Sequence, residues 1–331
     1  MKKILLVKTS SLGDVVHNLP VASDIRAAVP AAEIDWVVEE SFAPIPRMHP
    51  AVARVLPVAI RRWRTGFLGA GVRDDIRAFM RELKRQPYDA IIDTQGLVKS
   101  ALVACAARGM RHGLDFASAR EPLSLFYDRT YSIPWTLHAV ERNRLLAAQA
   151  LSYSVSRAPE YGIRARSTQF SWLPGGRYAV LLHATSAADK LWAEEKWLAL
   201  GASLNARKIR SVVPWGSAQE RLRSERLAGT IADAVVPPLL ALDDMTALLG
   251  GASVVVGVDT GLTHIAGALG VPTIGIFGGP WDPAATGLYG CPRARNLGRP
   301  GKPPEADEVI AALDNLLPVV SNHESRITNH E

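Results

Sequence analysis

The chain is poor in cysteine, has no long apolar run and carries no paired-aspartate metal motif, and each shortage removes a class of function. Only Cys105 and Cys291 occur in 331 residues, too few and too far apart for a disulfide framework or a thiolate metal centre, and a reducing cytoplasm suits such a chain. The apolar stretch after Lys2 and Lys3 is just Ile4 to Val7. That is far short of a signal-peptide core or of the ~20 residues of a membrane span, so neither export nor membrane insertion is expected. No Asp-x-Asp pair appears, which leaves a divalent metal bridging a diphosphate without evident ligands. G-x-G-x-x-G at the first elbow, G-x-x-x-x-G-K-[ST] and G-x-S-x-G are also missing. Hydride transfer, Walker-type nucleotide hydrolysis and α/β-hydrolase chemistry are disfavoured with them, and no cofactor is expected.

What is present is enough for two cores: 48% of the residues are apolar and 21% charged, a balance that argues against disorder. The net charge of +6 is concentrated. Between Arg54 and Arg85 nine basic residues face three acidic ones, which accounts for the whole excess. Within this segment Val72, Ile76, Phe79, Met80 and Leu83 recur at helical spacing and leave Arg73, Arg77, Arg81 and Lys84 largely off the apolar stripe. The preceding IRRWRTG reads as a basic loop, whose three arginines around Trp63 repel one another unless an anion is near. A solvated helix face is the plainer reading of the helix. An anionic membrane or glycolipid surface is the functional one, and nucleic acid is disfavoured by the absence of an aromatic stacking series.

Strand and helix signals alternate along the chain. KILLVK reads as a strand, Asp14 to Ala28 as a helix, EIDWVVEE as a strand, YDAIIDTQG as strand plus elbow, and about Leu97 to Ala107 as a helix. A second series starts at Tyr178: YAVLLHA, a helix from Glu194 to Asn205, RKIRSVVPWG, helices near Glu220 to Ala228 and Asp243 to Leu249, then Val254 to Gly278. Such alternation implies parallel, doubly wound sheets. Ser152 to Gly176, rich in Ser, Arg, Pro and Gly, reads as the linker. Residues 1–165 and 166–318 are the expected domains, and 319–331 a disordered tail.

The most informative stretch is VVVGVDTGLTHIAGALGVPTIGIFG, Val254 to Gly278. Its apolar strand runs into Asp259, Thr260 and Gly261, with His264 one turn on, where the free N–H groups of a starting helix favour an anion. Taken singly these residues read as a helix cap, a packing glycine and a satisfied histidine. Together they offer hydroxyl recognition and several donors to one small volume, which suits a phosphate-bearing sugar. The first elbow, TSSLGDVVHNLP, places Asp14 at a helix start, either as a dipole partner or as a base for an attacking hydroxyl. HATSAADK supplies Thr185 and Ser186 for phosphate oxygens and Lys190 for a departing diphosphate, although a loop lysine is often only solvated.

In order along Met1 to about Tyr289, TSSLGDVVHNLP, WVVEESF, IRRWR, DTQGLVKSAL, HAVER, LHATS, PWG and VDTGLTHIAGALGVPT resemble the lipopolysaccharide heptosyltransferases, and among them most closely the heptosyltransferase I branch. The resemblance implies a GT-B architecture, two facing Rossmann-like domains with doubly wound parallel sheets. It also implies inverting, metal-free transfer of L-glycero-D-manno-heptose from an ADP-linked donor to a Kdo sugar of Kdo-lipid A, by a peripheral protein on the cytoplasmic face of the inner membrane. By position, Asp14 matches the proposed base and Lys190 the residue that steadies the leaving diphosphate, with Thr185 and Ser186 beside it. Asp259 falls at the heptose hydroxyls, Thr260, Gly261 and His264 at the diphosphate, Glu220 at the ribose and Leu240 near the adenine. Arg61, Arg62, Arg64, Arg120 and Lys99 match positions expected to face the anionic acceptor. One departure stands out: GGPWDP follows Phe277 where the family commonly has G-x-T-D-P, so Trp281 replaces the Thr. Rival functions are a later heptosyltransferase, a nucleotide-sugar epimerase and a non-catalytic binder of anionic lipid.

Overall fold

The computed structural model describes residues 2–66, 69–185 and 187–317. Ser186 and the tail from residue 318 lie outside the described residues, and with them the expectations placed there.

The first series comprises β1 (Lys3–Val7), α1 (Leu12–His17), α2 (Leu19–Ala28), β2 (Glu33–Glu39), α3 (Pro44–Arg47), β3 (Val52–Val58), α4 (Ile60–Thr65) and α5 (Ala70–Leu83). It continues with β4 (Tyr88–Asp93), α6 (Val98–Ala106), β5 (Gly109–Leu114), β6 (Arg129–Tyr131) and α7 (Ala139–Leu151). The six strands form one parallel sheet in the order β3-β2-β1-β4-β5-β6. The second series comprises β7 (Tyr178–Leu182), α8 (Glu194–Ala206), β8 (Arg210–Val212), α9 (Ala218–Thr230), α10 (Leu242–Gly250) and β9 (Val254–Val258). After it come α11 (Gly261–Ala268), β10 (Thr273–Phe277), α12 (Pro283–Thr286), β11 (Ala294–Gly298) and α13 (Ala306–Leu316). Its parallel sheet runs β11-β10-β9-β7-β8. Each order reverses direction at one point, between β1 and β4 and between β7 and β9, and such switch points leave a crevice beyond the carboxyl ends of the strands. The expected two doubly wound sheets are present.

Why the central strands form is visible in their sequence. LLV in β1 and VVV in β9 are fully buried, as strands covered on both faces must be. α4, α5 and α6 lie on one face of the first sheet, where Leu83, Val103 and Ala104 cluster with the half-buried Trp63 and Phe79. The other face of that sheet joins the second domain in a single cluster that runs from Ile4 and Leu6 to Leu182, Val255 and Ile265.

Two local expectations are corrected. The single helix from Asp14 to Ala28 is two helices that break at Asn18, because Pro20 lacks an N–H and its ring is accommodated only in the first turn of a new helix. IRRWRTG is the helix α4 rather than a loop. Its charges are tolerated because Arg62 pairs with Glu40 and Asp75 and the Arg61 backbone donates to Glu39, acids supplied from elsewhere in the chain. Arg54, counted with the basic segment, is instead committed to the buried Asp35, 2.6 Å away. Residues between Leu151 and Tyr178 form no helix or strand. This stretch is nonetheless anchored: Tyr161 and Ile163 are buried, and the Tyr161 hydroxyl donates to the Tyr289 carbonyl at 2.7 Å.

Burial also sets a pH dependence. His49, packed under the linker at Gly162, His138 and His183 are all lowered to about 4 by burial, first of all causes. Below the ordinary histidine value the unfolded chain therefore takes up protons that the folded protein refuses. Stability should be full at pH 7, fall as pH drops below about 6.5 by up to about 1.4 kcal/mol per pH unit for each such histidine, and stop falling from this cause near pH 4. Calorimetric melts at pH 7 and pH 5 check the sign: a melting temperature unchanged or higher at pH 5 would contradict it.

Candidate functional site

The two switch points face each other. α1 starts just after β1 and α11 just after β9, and the starts of the two helices meet. A Cβ on Gly261 would lie 2.6 Å from the Leu12 side chain, and one on Gly13 would lie 3.3 Å from the His264 ring. A side chain at Gly261 would collide with Leu12 and one at Gly13 would press on His264, so the two glycines help two helix N-termini, each with free N–H groups, to come this close.

On the first side, Asp14 closes a capping box with Ser11. Its Oδ2 accepts from the Ser11 N–H at 2.8 Å and from the Ser11 hydroxyl at 2.9 Å, while Oδ1 has no protein partner among the described residues. One carboxylate oxygen is thus anchored and the other is available for an incoming group. Asp14 borders a narrow pocket with Lys8, Thr94, Gln95, Arg120, Arg142 and Asn143. The elbow after β4 is held by the buried Asp93, which accepts from Ser100, Tyr127 and the N–H groups of Gln95 and Gly96. Gln95 in turn accepts from the N–H groups of Thr9 and Ser10, both at 3.1 Å, and so ties the two elbows together. Lys99 donates to the Ser10 hydroxyl at 2.6 Å.

This pocket is cationic. Lys8 is buried, donates to the Thr94 carbonyl at 2.8 Å and is lowered from its ordinary pKa by burial, with Asp14 and Asp93 pulling the other way. Arg142 is likewise lowered by burial and by the charge of Arg120, and its guanidinium lies 3.6 Å from the Trp135 ring centroid. Three cations against one free carboxylate oxygen suit a ligand with carboxylates or phosphates. Lys8, Arg142 and Asn143 escaped the sequence reading. The usable signal was a lysine directly after an apolar strand, at the carboxyl edge where such sheets bind ligands. Arg61, Arg62 and Arg64 sit apart from this pocket on α4, at the β3 end of the same edge, and of these Arg62 is already paired within the protein.

On the second side, Lys190 donates to Asp259 Oδ2 at 2.7 Å and His264 Nε2 lies 3.6 Å from Asp259 Oδ1. Burial pushes the Asp259 carboxyl up, but the His264 and Lys190 contacts outweigh it and hold the group below its ordinary value. Thr260 occupies the N-cap position of α11 with no capping bond from its side chain, and Thr185 donates to the Asp259 carbonyl at 3.2 Å. A cavity of about 360 Å³ opens beside them, lined by Thr185, Trp215, Glu220, Leu240 and Thr260, with Leu12 reaching in from the first domain. Glu220 accepts from the Gly216 N–H at 2.7 Å. Apolar walls with one carboxylate at the rim, leading to a helix N-terminus and a lysine, suit a nucleoside diphosphate. A wider groove of about 980 Å³ lies at the back of the junction, lined by Arg26, His49, Glu160 and Cys291, and none of the expected site residues reach it.

The GGPWDP departure has a definite structure. Asp282 caps α12 by accepting from the Ala284 N–H at 2.8 Å, so the turn forms. Gly279 makes room for Lys190, whose Cγ would lie 2.8 Å from a Cβ there. Trp281 is exposed, and the Arg120 guanidinium of the opposite domain lies 5.9 Å from its ring centroid, within reach of a cation–π contact across the cleft.

Known proteins similar in sequence and fold identify the family. The family model for glycosyltransferase family 9 (heptosyltransferase) covers residues 76–308. Lipopolysaccharide heptosyltransferase 1 of Escherichia coli (strain K12) is 47% identical over 291 residues, 87% of this chain and 91% of that protein. The structure of the E. coli heptosyltransferase WaaC with ADP superposes with a TM-score of 0.87 at 42% identity, covering 95% of this chain and all of the other. The same enzyme with ADP-2-deoxy-2-fluoro heptose gives 0.81 at 42% identity, covering 95% and 98%. The chain belongs to glycosyltransferase family 9 and is a heptosyltransferase.

Proposed function

We propose that this enzyme transfers L-glycero-D-manno-heptose from ADP-heptose to a Kdo residue of Kdo-lipid A, with inversion and without a metal. The observation that carries the reading is the meeting of α1 and α11, which puts the free carboxylate oxygen of Asp14 on one side of a cleft and the Lys190–Asp259–His264 group on the other. Residues 166–318 take the donor: adenosine in the cavity bordered by Leu240 and Glu220, diphosphate at Thr185, Thr260, Gly261 and His264, heptose at Asp259. The E. coli relative that holds ADP-2-deoxy-2-fluoro heptose supports a donor of this chemistry. Residues 1–165 take the acceptor, whose carboxylates and phosphates meet Arg120, Lys99, Lys8 and Arg142, with Arg61, Arg62 and Arg64 further along the edge.

Asp14 Oδ1 accepts the proton of the acceptor hydroxyl as its oxygen attacks the anomeric carbon. The bond from that carbon to the β-phosphate oxygen breaks on the opposite face, its electron pair leaves with ADP, and one displacement inverts the centre. Lys190 exchanges its Asp259 partner for the departing diphosphate, where the α11 N–H groups also stabilise charge. The contact of Lys190 with Asp259 at the start of α11 supports charge neutralisation by this lysine. Activity that persists in excess chelator is expected, and its loss would contradict this step. Offering Kdo-lipid A and its heptosylated product as competing acceptors tests the assignment: turnover is expected on the first, and turnover confined to the second would assign a later step.

Work at the cytoplasmic face of the inner membrane is supported by one face of the first domain. No helix of the described residues is long and apolar enough to cross a membrane. α4, α5 and α6 share that face; Arg61, Arg64, Arg73 and Arg81 are exposed there and lie in no ion pair among the described residues, and Leu102 of α6 is 56% exposed. Basic and apolar groups together favour an anionic bilayer surface. Arg64→Glu with Arg73→Glu should weaken sedimentation with phosphatidylglycerol-rich vesicles at least about tenfold; unchanged sedimentation would contradict this.

A further inference from the structure

His17, in α1 of the first domain, and His264, in α11 of the second, meet across the junction with Nε2 and Nδ1 3.2 Å apart and ring planes at 82°. Both are buried, at 4% and 6% exposure. In a neutral imidazole one nitrogen donates and the other accepts, so each contact dictates the next. The Asp259 carboxylate can only accept, and its Oδ1 lies 3.6 Å from His264 Nε2, beyond hydrogen-bond length but close enough for its charge to favour an N–H on that nitrogen. The His264 proton therefore belongs on Nε2, and Nδ1 is left as an acceptor that the His17 Nε2–H satisfies. His17 Nδ1 is then unprotonated and makes no hydrogen bond of acceptable geometry among the described residues, and the Gly287 carbonyl beside the ring is taken by His138. The neighbouring His138 is settled independently: its Nδ1 accepts from the Val140 N–H at 3.1 Å, so its Nε2–H donates to the Gly287 carbonyl at 3.2 Å.

We propose that His17 is a positioning residue for the donor site. It holds His264 as the Nε2–H tautomer, aims that N–H at Asp259 and the diphosphate, and can do so only while the two domains are together. The donor site is then completed by a side chain of the acceptor domain. Separation of the domains releases Nδ1, lets the ring adopt either tautomer and weakens the hold on the nucleotide. This rests on the placement of His264 at the diphosphate proposed above.

Two measurements test it. In nitrogen–proton correlation spectra of the imidazoles of the unsubstituted protein, His17 and His264 should both carry their proton on Nε2; a proton on His264 Nδ1 would overturn the inference. In calorimetric titrations with ADP, His17→Phe should weaken binding about fivefold to tenfold, and His17→Gln, whose amide can still donate, should stay within about twofold of the parent. In a His264→Ala background His17→Phe should cost nothing further. An equal loss in both backgrounds would make His17 merely structural and overturn the inference while leaving His264 at the diphosphate. If His264→Ala alone binds ADP as tightly as the parent, that placement fails and the inference fails with it.

Discussion

Asp14→Asn should lower kcat by about a thousandfold or more while ADP affinity stays within about twofold, because the substitution removes a proton acceptor and little else. The anchored oxygen of Asp14 receives two hydrogen bonds from Ser11, and the amide oxygen of asparagine can receive the same pair, so the capping box and the start of α1 persist. The group that changes is the oxygen facing the pocket with Lys8, Arg120 and Arg142. An amide there cannot take the acceptor proton, whatever its placement. Steady-state kinetics with ADP-heptose and Kdo-lipid A, paired with calorimetric titration of ADP, separate the two effects. A variant that retains a tenth of the parent rate would remove Asp14 from the base role, and one that loses ADP binding would mark it as structural.

Lys190→Ala should cost about a hundredfold to a thousandfold in kcat, the scale of removing one preorganised charge partner from a developing anion. The structure adds a second consequence. Asp259 is 16% exposed and is held ionised by Lys190 and His264 together. Without the lysine its carboxyl loses one of the two contacts that outweigh burial, and its pKa should rise. The variant should therefore lose more activity than the parent toward the acid end of the pH range. Lys190→Arg keeps the charge, but the longer side chain must pass Gly279, where space is already close, so only partial recovery is expected. kcat profiles of the three proteins between pH 5.5 and pH 8 check this, in units where about 1.4 kcal/mol is tenfold. A Lys190→Ala profile parallel to the parent's would disconnect Lys190 from the ionisation of Asp259.

The fold was largely legible because parallel strands buried on both faces leave runs such as LLV and VVV, and turns at their carboxyl ends carry polar clusters that stand out against them. Strands at the sheet edges or next to them lack that signature. β3 contains Pro57 and Arg54, β5 contains two glycines, and β11 reads ARNLG; each is recognisable only once a neighbouring strand supplies its ladder. α4 was misread for a related reason. Its arginines look mutually repulsive in sequence, and the acids that offset them, Glu39, Glu40 and Asp75, come from β2, the turn after it and α5.

The cluster proposed to hold the donor was legible as a local pattern, since Asp259, Thr260, Gly261 and His264 lie within six residues, and the structure joins Lys190 to Asp259 directly. The pocket proposed for the acceptor was legible only in part: Arg120 follows from the resemblance, while Lys8 and Arg142 do not, because the cations converge from three elements. Lys8 follows β1, Arg120 precedes β6 and Arg142 lies on α7, and Lys8 meets Asn143 across 135 residues of chain. Burial sets Lys8 apart and half covers Arg142 while Arg120 stays exposed, and burial cannot be read from a single strand end. The pairing of His17 with His264, 247 residues apart, is hidden for the same reason.

The most direct test of heptosyl transfer to Kdo is the mass of the lipid product after the protein is incubated with ADP-heptose and Kdo-lipid A in chelator-containing buffer. A gain of one heptosyl residue on the acceptor, with ADP released in equal amount and no gain in the Asp14→Asn control, is the expected result. ADP-heptose consumed equally with and without the lipid, or a lipid whose mass is unchanged, would contradict it.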